Sequence, residues 1–474
     1  MTATEEPAAS AIDRVMRAVA PVRRGEGLTA ALLAVNVFVL LTCYYVLKVL
    51  REPMILLGGG GAELKAYASA GQTLLLLGVV PVFGWLAGRV PRLRLLTLVQ
   101  SFFIVCLLGF YLLAYVRAPI GLAFYLWLGI FNVLVVSNFW SFANDLYTHE
   151  QGKRLFAIIG LGGSVGAIVG ALVPQYLHEH VGTYELMLVA AGGLALSIVL
   201  YRIIDRRERT ERDAANTVSV PKPEAIHPVG REGGFGLVLK DRYLRLIAVM
   251  ILASTVINST GEYVVGKMAV TESQAYAEQK LAEAPPSDSE TQRAIVKAAR
   301  SEYVSEFYSN YFALVNLVAM LLQAVLVSRV IGKIGIRRSL FIMPLIVVGG
   351  WLAFLAFATL ATIRVTKTSE NSVDYSLQNT LKQALYLPTS RESKYKAKAA
   401  IDTFFFRMAD VIAGLGLVLL LVNVLDLGIR AFAVVNLVLA VLWLWLAARM
   451  GRLHDERTAE RASRAARGLR ETAM

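Results

Sequence analysis

The sequence predicts an all-α membrane protein with about twelve transmembrane helices, and three observations predict this fold class. Of the 474 residues, 56% are hydrophobic and only 18% are charged, whereas about a quarter of the residues of soluble proteins are charged. The mean hydropathy is +0.56. Apolar stretches of about 20 residues, the length that crosses a bilayer, recur along the chain. These features exclude a soluble enzyme and a disordered scaffold.

Each predicted helix corresponds to one apolar stretch. The stretches cover residues 28–50, 66–87, 95–116, 119–142, 154–175, 183–204, 243–266, 307–330, 339–362, 373–388, 398–424 and 428–449. The tenth is the weakest, because Asp374, Asn379 and Lys382 make it too polar to face lipid. We therefore expect this helix to line protein or water.

Positive charge is concentrated on one side of the predicted helices. The chain carries 48 Lys and Arg against 35 Asp and Glu, a net charge of +13. The even-numbered connections and both termini are rich in Lys and Arg, whereas the odd-numbered connections, apart from one insertion, are short and poor in charge. The positive-inside rule therefore predicts that both termini are cytoplasmic, in a plasma (inner) membrane protein. It also explains the net charge without a nucleic-acid partner.

The predicted domain organisation has two bundles of six helices. The expected segments are a cytoplasmic N-terminal segment at 1–27, an N-terminal bundle at 28–204, a basic cytoplasmic linker at 205–242, a C-terminal bundle at 243–449 and a basic cytoplasmic tail at 450–474. The second bundle contains an insertion at about 268–305. Its Pro285 and Pro286 separate two stretches of helical composition, so we expect a small external helical hairpin.

The two predicted bundles repeat similar motifs. Gly88 and Arg89 follow the second helix, and Gly332 and Lys333 follow the eighth. A duplicated unit of six helices with a basic loop at this place resembles the major facilitator superfamily. Such duplication is typical of transporters that bind substrate between their two halves.

Two further motifs carry a more specific resemblance. The segments Phe139–Phe156, with Phe-Trp, Ala-Asn and Lys-Arg-Leu-Phe, and Lys396–Asp402 resemble the nucleotide-exchanging ADP/ATP carrier family of plastids and intracellular bacteria. The resemblance implies a major-facilitator-like fold and a nucleotide substrate. The chain is a divergent member, because Asp410 stands where the family has a lysine and the acidic residue early in the fourth helix is missing.

Lys48 and Arg51 are the first candidate substrate-binding residues. Their i, i+3 spacing near the end of the first helix places both cations on one face. A basic pair facing a central cavity suits a phosphate, and the neighbouring Tyr45 offers a ring or a hydroxyl. The alternative is that both cations extend to the outer interface. The family resemblance implies the substrate role.

Five further polar positions are candidate site residues. Glu262 and Lys267 are five residues apart, about 140° round a helix, so they face different ways. The resemblance implies a carrier role for them, and a structural ion pair bridging the bundles is the alternative. Arg407 and Asp410 have a spacing that permits mutual neutralisation. Asn144 either binds substrate or ties helices together.

The fifth helix contains Gly162, Gly166 and Gly170 at four-residue spacing. A phosphate-binding loop would end in Gly-Lys-Ser or Gly-Lys-Thr, and this stretch does not. We interpret the glycines as a face for close helix packing.

Cysteine and histidine usage predicts neither a disulfide framework nor a metal site. Cys43 and Cys106 both lie in apolar stretches. His178, Glu179 and His180 are interpreted as a plain polar loop. We therefore expect no metal and no cofactor.

The combined prediction is a secondary transporter that exchanges nucleotides of the ATP/ADP type, or related phosphorylated anions, by alternating access. Its partners would be this small-molecule substrate and the lipid bilayer; the sequence leaves the oligomeric state open, and a monomer is compatible with it. One alternative is a proton-coupled major facilitator, with Glu262 and Asp410 as protonatable groups. Another is a non-transporting membrane sensor or assembly platform.

Overall fold

A computed structural model describes residues 26–147, 149–177, 181–214, 234–286, 288–390 and 393–472. Within these ranges all regular structure is helical, which confirms the all-α fold class. Nearly all of the predicted N-terminal segment, the middle of the predicted linker and the loop His178–His180 lie outside the described residues.

The described residues between 26 and 214 form six helices. They are α1 (Glu26–Leu56), α2 (Gly61–Ala87), α3 (Arg92–Tyr115), α4 (Gly121–Leu146), α5 (His149–Leu177) and α6 (Leu186–Ala214). All six include a stretch that is long and apolar enough to cross a membrane. They correspond one to one with the first six predicted spans.

The second half of the chain begins with a short helix and continues with six longer ones. They are α7 (Gly234–Lys240), α8 (Arg242–Glu283), α9 (289–339), α10 (Ile342–Ala356), α11 (360–385), α12 (393–424) and α13 (Ile429–Thr472). α9, α11 and α12 contain π-helical segments, among them Leu322–Leu326, Asp374–Gln378 and Ile412–Val424.

Ten of the described helices are long and apolar enough to span a membrane, and α10 is a shorter apolar helix. The ninth and tenth predicted spans had wrong boundaries: α10 ends at Ala356, and α11 begins at Leu360 instead of 373. The physical reason is a helix cap. The hydroxyl oxygen of Thr359 accepts a hydrogen bond from the backbone N–H of Thr362 at 3.2 Å, which starts a new helix inside the stretch assigned to the ninth span.

The insertion at 268–305 is helical on both sides of its proline pair. α8 has 42 residues and a length of about 63 Å, twice the thickness of a bilayer's hydrocarbon core. The chain leaves α8 at Ala284, and Asp288 precedes the first residue of α9. α8 and the start of α9 therefore extend beyond the length that a membrane can cover.

Contacts divide the chain into two compact units. Unit 1 consists of Met1–Met54, Leu76–Lys222 and Ser305–Leu317, and unit 2 consists of Ile55–Leu75, Pro223–Val304 and Val318–Met474. The first part of α2 thus groups with unit 2, and 305–317 of α9 groups with unit 1. α2 and α9 are the second membrane helices of the two predicted bundles. Each of these two helices therefore contributes a segment to the unit that contains most of the other predicted bundle.

Unit 1 has an aromatic core. Phe103, Phe124 and Phe131 are fully buried and surround Trp127 at ring-centroid distances of 5.5 to 5.7 Å. Such buried aromatic pairs add about 0.5–1.5 kcal/mol each to the area that they bury.

Unit 1 also contains the glycine face of α5. A Cβ atom on Gly162, Gly166 or Gly170 would lie 2.4 Å from a backbone oxygen of α1, those of Ala34, Phe38 and Thr42 respectively. The two backbones therefore approach as closely as glycine alone permits, and the predicted packing face is confirmed.

The core of unit 2 is formed by α8, α10, α11 and α13, with α10 packed on both α11 and α13. Trp351 and Phe354 of α10 and Trp443 of α13 are buried there. The hydroxyl of Tyr243 at the start of α8 donates a hydrogen bond to the carbonyl of Leu385 at 2.7 Å. This core holds the polar side chains of α8 and α11 in place.

Candidate functional site

Lys48 of α1 is half-buried among aromatic rings in unit 1. Its Nζ lies 4.0 Å from the centroid of the Phe312 ring and 5.0 Å from that of the Tyr45 ring. The hydroxyl of Tyr45 donates a hydrogen bond to Oδ1 of Asn316 at 3.1 Å. Cation–π contacts of this kind favour a charged ammonium group. The structure therefore brings Lys48 and Tyr45 together, against residues of α9.

Arg51, one helical turn after Lys48, forms an ion pair with its neighbour Glu52. The Nη2–Oε1 distance is 2.6 Å, and the Glu52 side chain is fully buried. The guanidinium carbon of Arg51 also lies 4.4 Å above the ring of Tyr125. Lys48, Arg51 and Glu52 together carry a net charge of +1. The sequence analysis identified both cations but not the carboxylate that compensates one of them.

Asn144 does not share a site with Arg51. It is exposed and lies two residues before the end of α4, whereas Tyr125, which contacts Arg51, lies near the start of that helix. Nineteen residues of α-helix separate these positions by about 28 Å along the axis. A substrate held at Arg51 would therefore have to span most of α4 to reach Asn144.

Lys267 of α8 forms an ion pair with Glu63 in unit 2. Nζ lies 2.6 Å from Oε1, and the hydroxyl of Tyr263 donates a hydrogen bond to the same oxygen at 2.9 Å. Glu63 is in the first turn of α2. Hydropathy predicts this helix only from residue 66, so Glu63 falls outside the predicted span.

Glu262 has a different partner, in agreement with its separation from Lys267. Its Oε1 accepts a hydrogen bond from the side-chain amide of Asn371 at 3.0 Å. Asn371 belongs to α11, so Glu262 joins α8 to α11.

α11 also contains a buried ion pair that the sequence analysis missed. Nζ of Lys367 lies 2.9 Å from Oε2 of Glu370, with 0% and 2% of the side chains exposed, and donates to Oδ1 of Asn258 at 2.7 Å. The i, i+3 spacing was visible in the sequence. It was overlooked because residues 363–372 were assigned to a connection between helices.

Arg407 and Asp410 of α12 neutralise each other as predicted. Nη1 and Oδ2 are 3.8 Å apart, and the hydroxyl of Ser259 on α8 donates a hydrogen bond to Oδ1 of Asp410 at 2.7 Å. Thus Lys48, Arg51 and Tyr45 belong to unit 1, whereas Glu262, Lys267, Arg407 and Asp410 belong to unit 2. Within the described residues no three His, Cys, Asp or Glu side chains are grouped to hold a metal ion.

The sequence profile of the Major Facilitator Superfamily matches residues 143–369. ADP,ATP carrier protein 2 of Chlamydia trachomatis is 23% identical over 487 aligned residues, which cover 88% of this chain and 86% of that protein. ADP,ATP carrier protein 2 of Chlamydia pneumoniae is 23% identical and covers 88% and 87%. ADP,ATP carrier protein 3 of Rickettsia felis is 21% identical and covers 70% of both chains.

The chain is similar to the ADP,ATP carriers over most of its length. These matches confirm the family resemblance read from the Phe139–Phe156 and Lys396–Asp402 motifs.

Comparison with solved structures shows the fold of the chain. A POT family transporter in complex with 5-aminolevulinic acid matches with a TM-score of 0.59 at 13% identity, over 90% of this chain and 96% of that one. A bacterial homologue of the human lysosomal transporter Spinster matches with a TM-score of 0.53 at 12% identity, over 93% and 99%. The protein is therefore a multi-pass membrane protein with the major facilitator fold.

Proposed function

We propose that the protein is a secondary transporter of the plasma (inner) membrane that exchanges nucleotides of the ATP/ADP type, or related phosphorylated anions. The observation that carries this proposal is the similarity to ADP,ATP carriers over 88% of the chain. It is supported by a major facilitator fold, in which alternating access exposes one site to each side in turn. The distribution of basic residues supports a cytoplasmic location for both termini.

Lys48 is the residue that favours an anionic substrate most directly. It lies eight residues before the end of α1, about 12 Å along the axis, so it is inside the helix and not at its last turn. A cation at the bilayer centre costs about 2.5–3.5 kcal/mol on insertion scales, and such residues usually mark a substrate path. A phosphate would offset this cost, and the rings of Tyr45 and Phe312 would pack on the base.

Arg51 contributes to the same site through Glu52. Its ion pair with the buried carboxylate fixes the guanidinium group one turn beyond Lys48. A substrate phosphate would compete with Glu52 for Arg51, and departure of the substrate would restore the ion pair. Arg51 would thus change partners with substrate occupancy instead of standing uncompensated in an empty site.

Glu262 and Lys267 would change partners during the cycle. In this structure they hold Asn371 and Glu63 respectively. Lys267 joins α8 to the first part of α2, helices that the sequence assigns to different six-helix bundles, and alternating access would move such bundles against each other. The Lys267–Glu63 contact would therefore break and re-form once per transport cycle.

The proposal is tested with purified protein in proteoliposomes. We expect saturable uptake of labelled ATP that depends on internal ADP and is unchanged by a protonophore. Uptake that proceeds without an internal nucleotide and collapses with the protonophore would establish the proton-coupled alternative. Empty liposomes and liposomes loaded with adenosine serve as controls, since adenosine lacks the phosphate.

A further inference from the structure

A cavity of about 380 Å³ lies at the insertion, within unit 2. It is lined by Leu57, Leu281, Ser289, Gln292, Arg293, Val296, Lys297 and Arg300. Leu57 follows α1, Leu281 belongs to the last turn of α8, and the other six lie on α9. Cavities of 300 Å³ and more are large enough for small-molecule ligands.

Three cations share one face of α9 in this cavity. Arg293, Lys297 and Arg300 are spaced i, i+4 and i+7, so their side chains line the same side of the helix. Nε of Arg300 donates a weak hydrogen bond to the hydroxyl of Ser273 at 3.4 Å, which orients the side chain from the α8 side. Ser289, at the first turn of α9, adds a hydroxyl group near the positive end of the helix dipole.

Charge in the insertion is segregated. Residues 268–305 contain six acidic and four basic side chains, yet three of the basic ones and none of the acidic ones line the cavity. Glu278 and Glu283 accept hydrogen bonds from Gln274 and Gln279 elsewhere on α8. The residues that line the cavity therefore carry three positive charges and no negative charge.

We propose that this cavity binds the phosphate groups of a nucleotide and collects substrate for the transport site. The three cations would contact the phosphates, and Leu57, Leu281 and Val296 would pack against the apolar part of the ligand. Positively lined cavities raise the local concentration and the association rate of anions. The collecting role rests on the proposed nucleotide exchange, whereas the binding itself does not. A lipid phosphate has the same chemistry, and the experiment separates the two sources.

The test uses the full-length protein in zwitterionic liposomes and the photoreactive probe 8-azido-ATP, with peptide mapping of the labelled sites. We expect labelling within residues 281–300 that ATP and inorganic tripolyphosphate prevent and adenosine does not. The double substitution Arg293→Gln with Lys297→Gln should lower this labelling at least about fivefold, since each lost charge contact weakens binding. The matched control is Lys280→Gln, because Lys280 lies on the same hairpin above the ring of Tyr276 and does not line the cavity.

Several outcomes would overturn the inference. They are labelling of 281–300 that tripolyphosphate does not prevent, equal labelling in the double variant and the wild type, or loss of labelling when phosphatidylglycerol replaces part of the lipid. Competition by tripolyphosphate is measured on the wild type, so the test does not depend on folding of the variant. If the wild-type protein exchanges ATP for ADP but residues 281–300 are not labelled, the proposed binding at the cavity is refuted and the proposed function is not. Labelling without exchange would refute the proposed function and leave the binding site standing.

Discussion

Lys267 and Glu63 form an ion pair with an Nζ–Oε1 distance of 2.6 Å, and Tyr263 donates a hydrogen bond to the same carboxylate oxygen. The pair joins α8 to the first turn of α2, and both residues belong to unit 2. Its side chains are 45% and 20% exposed, so water screens the attraction. A screened pair of this kind contributes about 0.2–1 kcal/mol, enough to bias a conformational equilibrium without locking it.

Neutralising this pair should change transport more than stability. We expect Glu63→Gln or Lys267→Gln to alter the initial rate of ATP–ADP exchange by up to about fivefold, the factor that corresponds to 1 kcal/mol. The charge reversal Glu63→Lys with Lys267→Glu should return the rate toward the wild-type value. If the reversal were no more active than either single variant, the pair would not take part in the cycle. Proteoliposome uptake measures all four proteins.

The buried pair on α11 should instead determine stability. Lys367→Met leaves the carboxylate of Glu370 in a site that is 2% exposed, and an unpaired buried charge costs about 3–5 kcal/mol. Replacing both residues by Met should cost much less than Lys367→Met alone. A thiol-reactive fluorophore measures unfolding in a Cys106→Ala background, because Cys106 is partly exposed whereas Cys43 is 5% exposed in the folded protein.

The matched control for α11 is the ion pair between Arg337 and Asp455, whose side chains are 52% and 53% exposed. Asp455→Asn should change the free energy of unfolding by less than about 1 kcal/mol. Equal losses for Lys367→Met and Asp455→Asn would contradict the difference in burial on which the prediction is based.

The contact between α1 and α5 should tolerate no side chain at Gly166. A Cβ there would lie 2.4 Å from the carbonyl oxygen of Phe38, so Gly166→Ala must push the helices apart. We expect a loss of at least about 1–3 kcal/mol, as for other overpacked sites. Gly109→Ala is the control, because nothing lies within 4 Å of its Cβ position and alanine favours the helix by about 1 kcal/mol. A Gly166→Ala variant as stable as the control would show that this contact is looser than described.

Arg51 should have separable effects on folding and transport. Arg51→Gln removes the guanidinium group that forms an ion pair with the buried carboxylate of Glu52, so we expect loss of both stability and uptake. The double variant Arg51→Gln with Glu52→Gln removes the buried charge and should recover stability while uptake stays low. Recovery of uptake together with stability would restrict Arg51 to a structural role. The thermal midpoint and the initial uptake rate are measured on the same preparations.

Much of the fold was predictable, because a membrane span needs only length and hydropathy. Hydropathy failed at α11, where Lys367, Glu370 and Asn371 made a helix look like a connection. Lys367 and Asn371 have hydrogen-bond partners on α8, Asn258 and Glu262, which are distant in sequence. Pairing across helices is a tertiary property that no local window of sequence contains.

The residues of the candidate site were predictable from the sequence, but the residues that they contact were not. Lys48 and Arg51 stood out as charges in an apolar helix. That Glu52 compensates Arg51, and that Phe312 and Asn316 lie beside Lys48 and Tyr45, depends on how side chains turn and on which helix packs against α1. Asn144 shows the converse: a polar residue in a family motif lies about 28 Å along α4 from the Arg51 contact.

The central claim is that Lys48 binds the phosphate of the transported anion. The most direct measurement is the initial rate of labelled ATP uptake into ADP-loaded proteoliposomes by the wild type, Lys48→Arg and Lys48→Gln. Because a lost charge contact to bound phosphate costs about 2–5 kcal/mol, we expect Lys48→Gln to lower the rate at subsaturating ATP by at least about tenfold. Lys48→Arg should retain part of it. Uptake by folded Lys48→Gln protein with wild-type rate and apparent affinity would contradict the account.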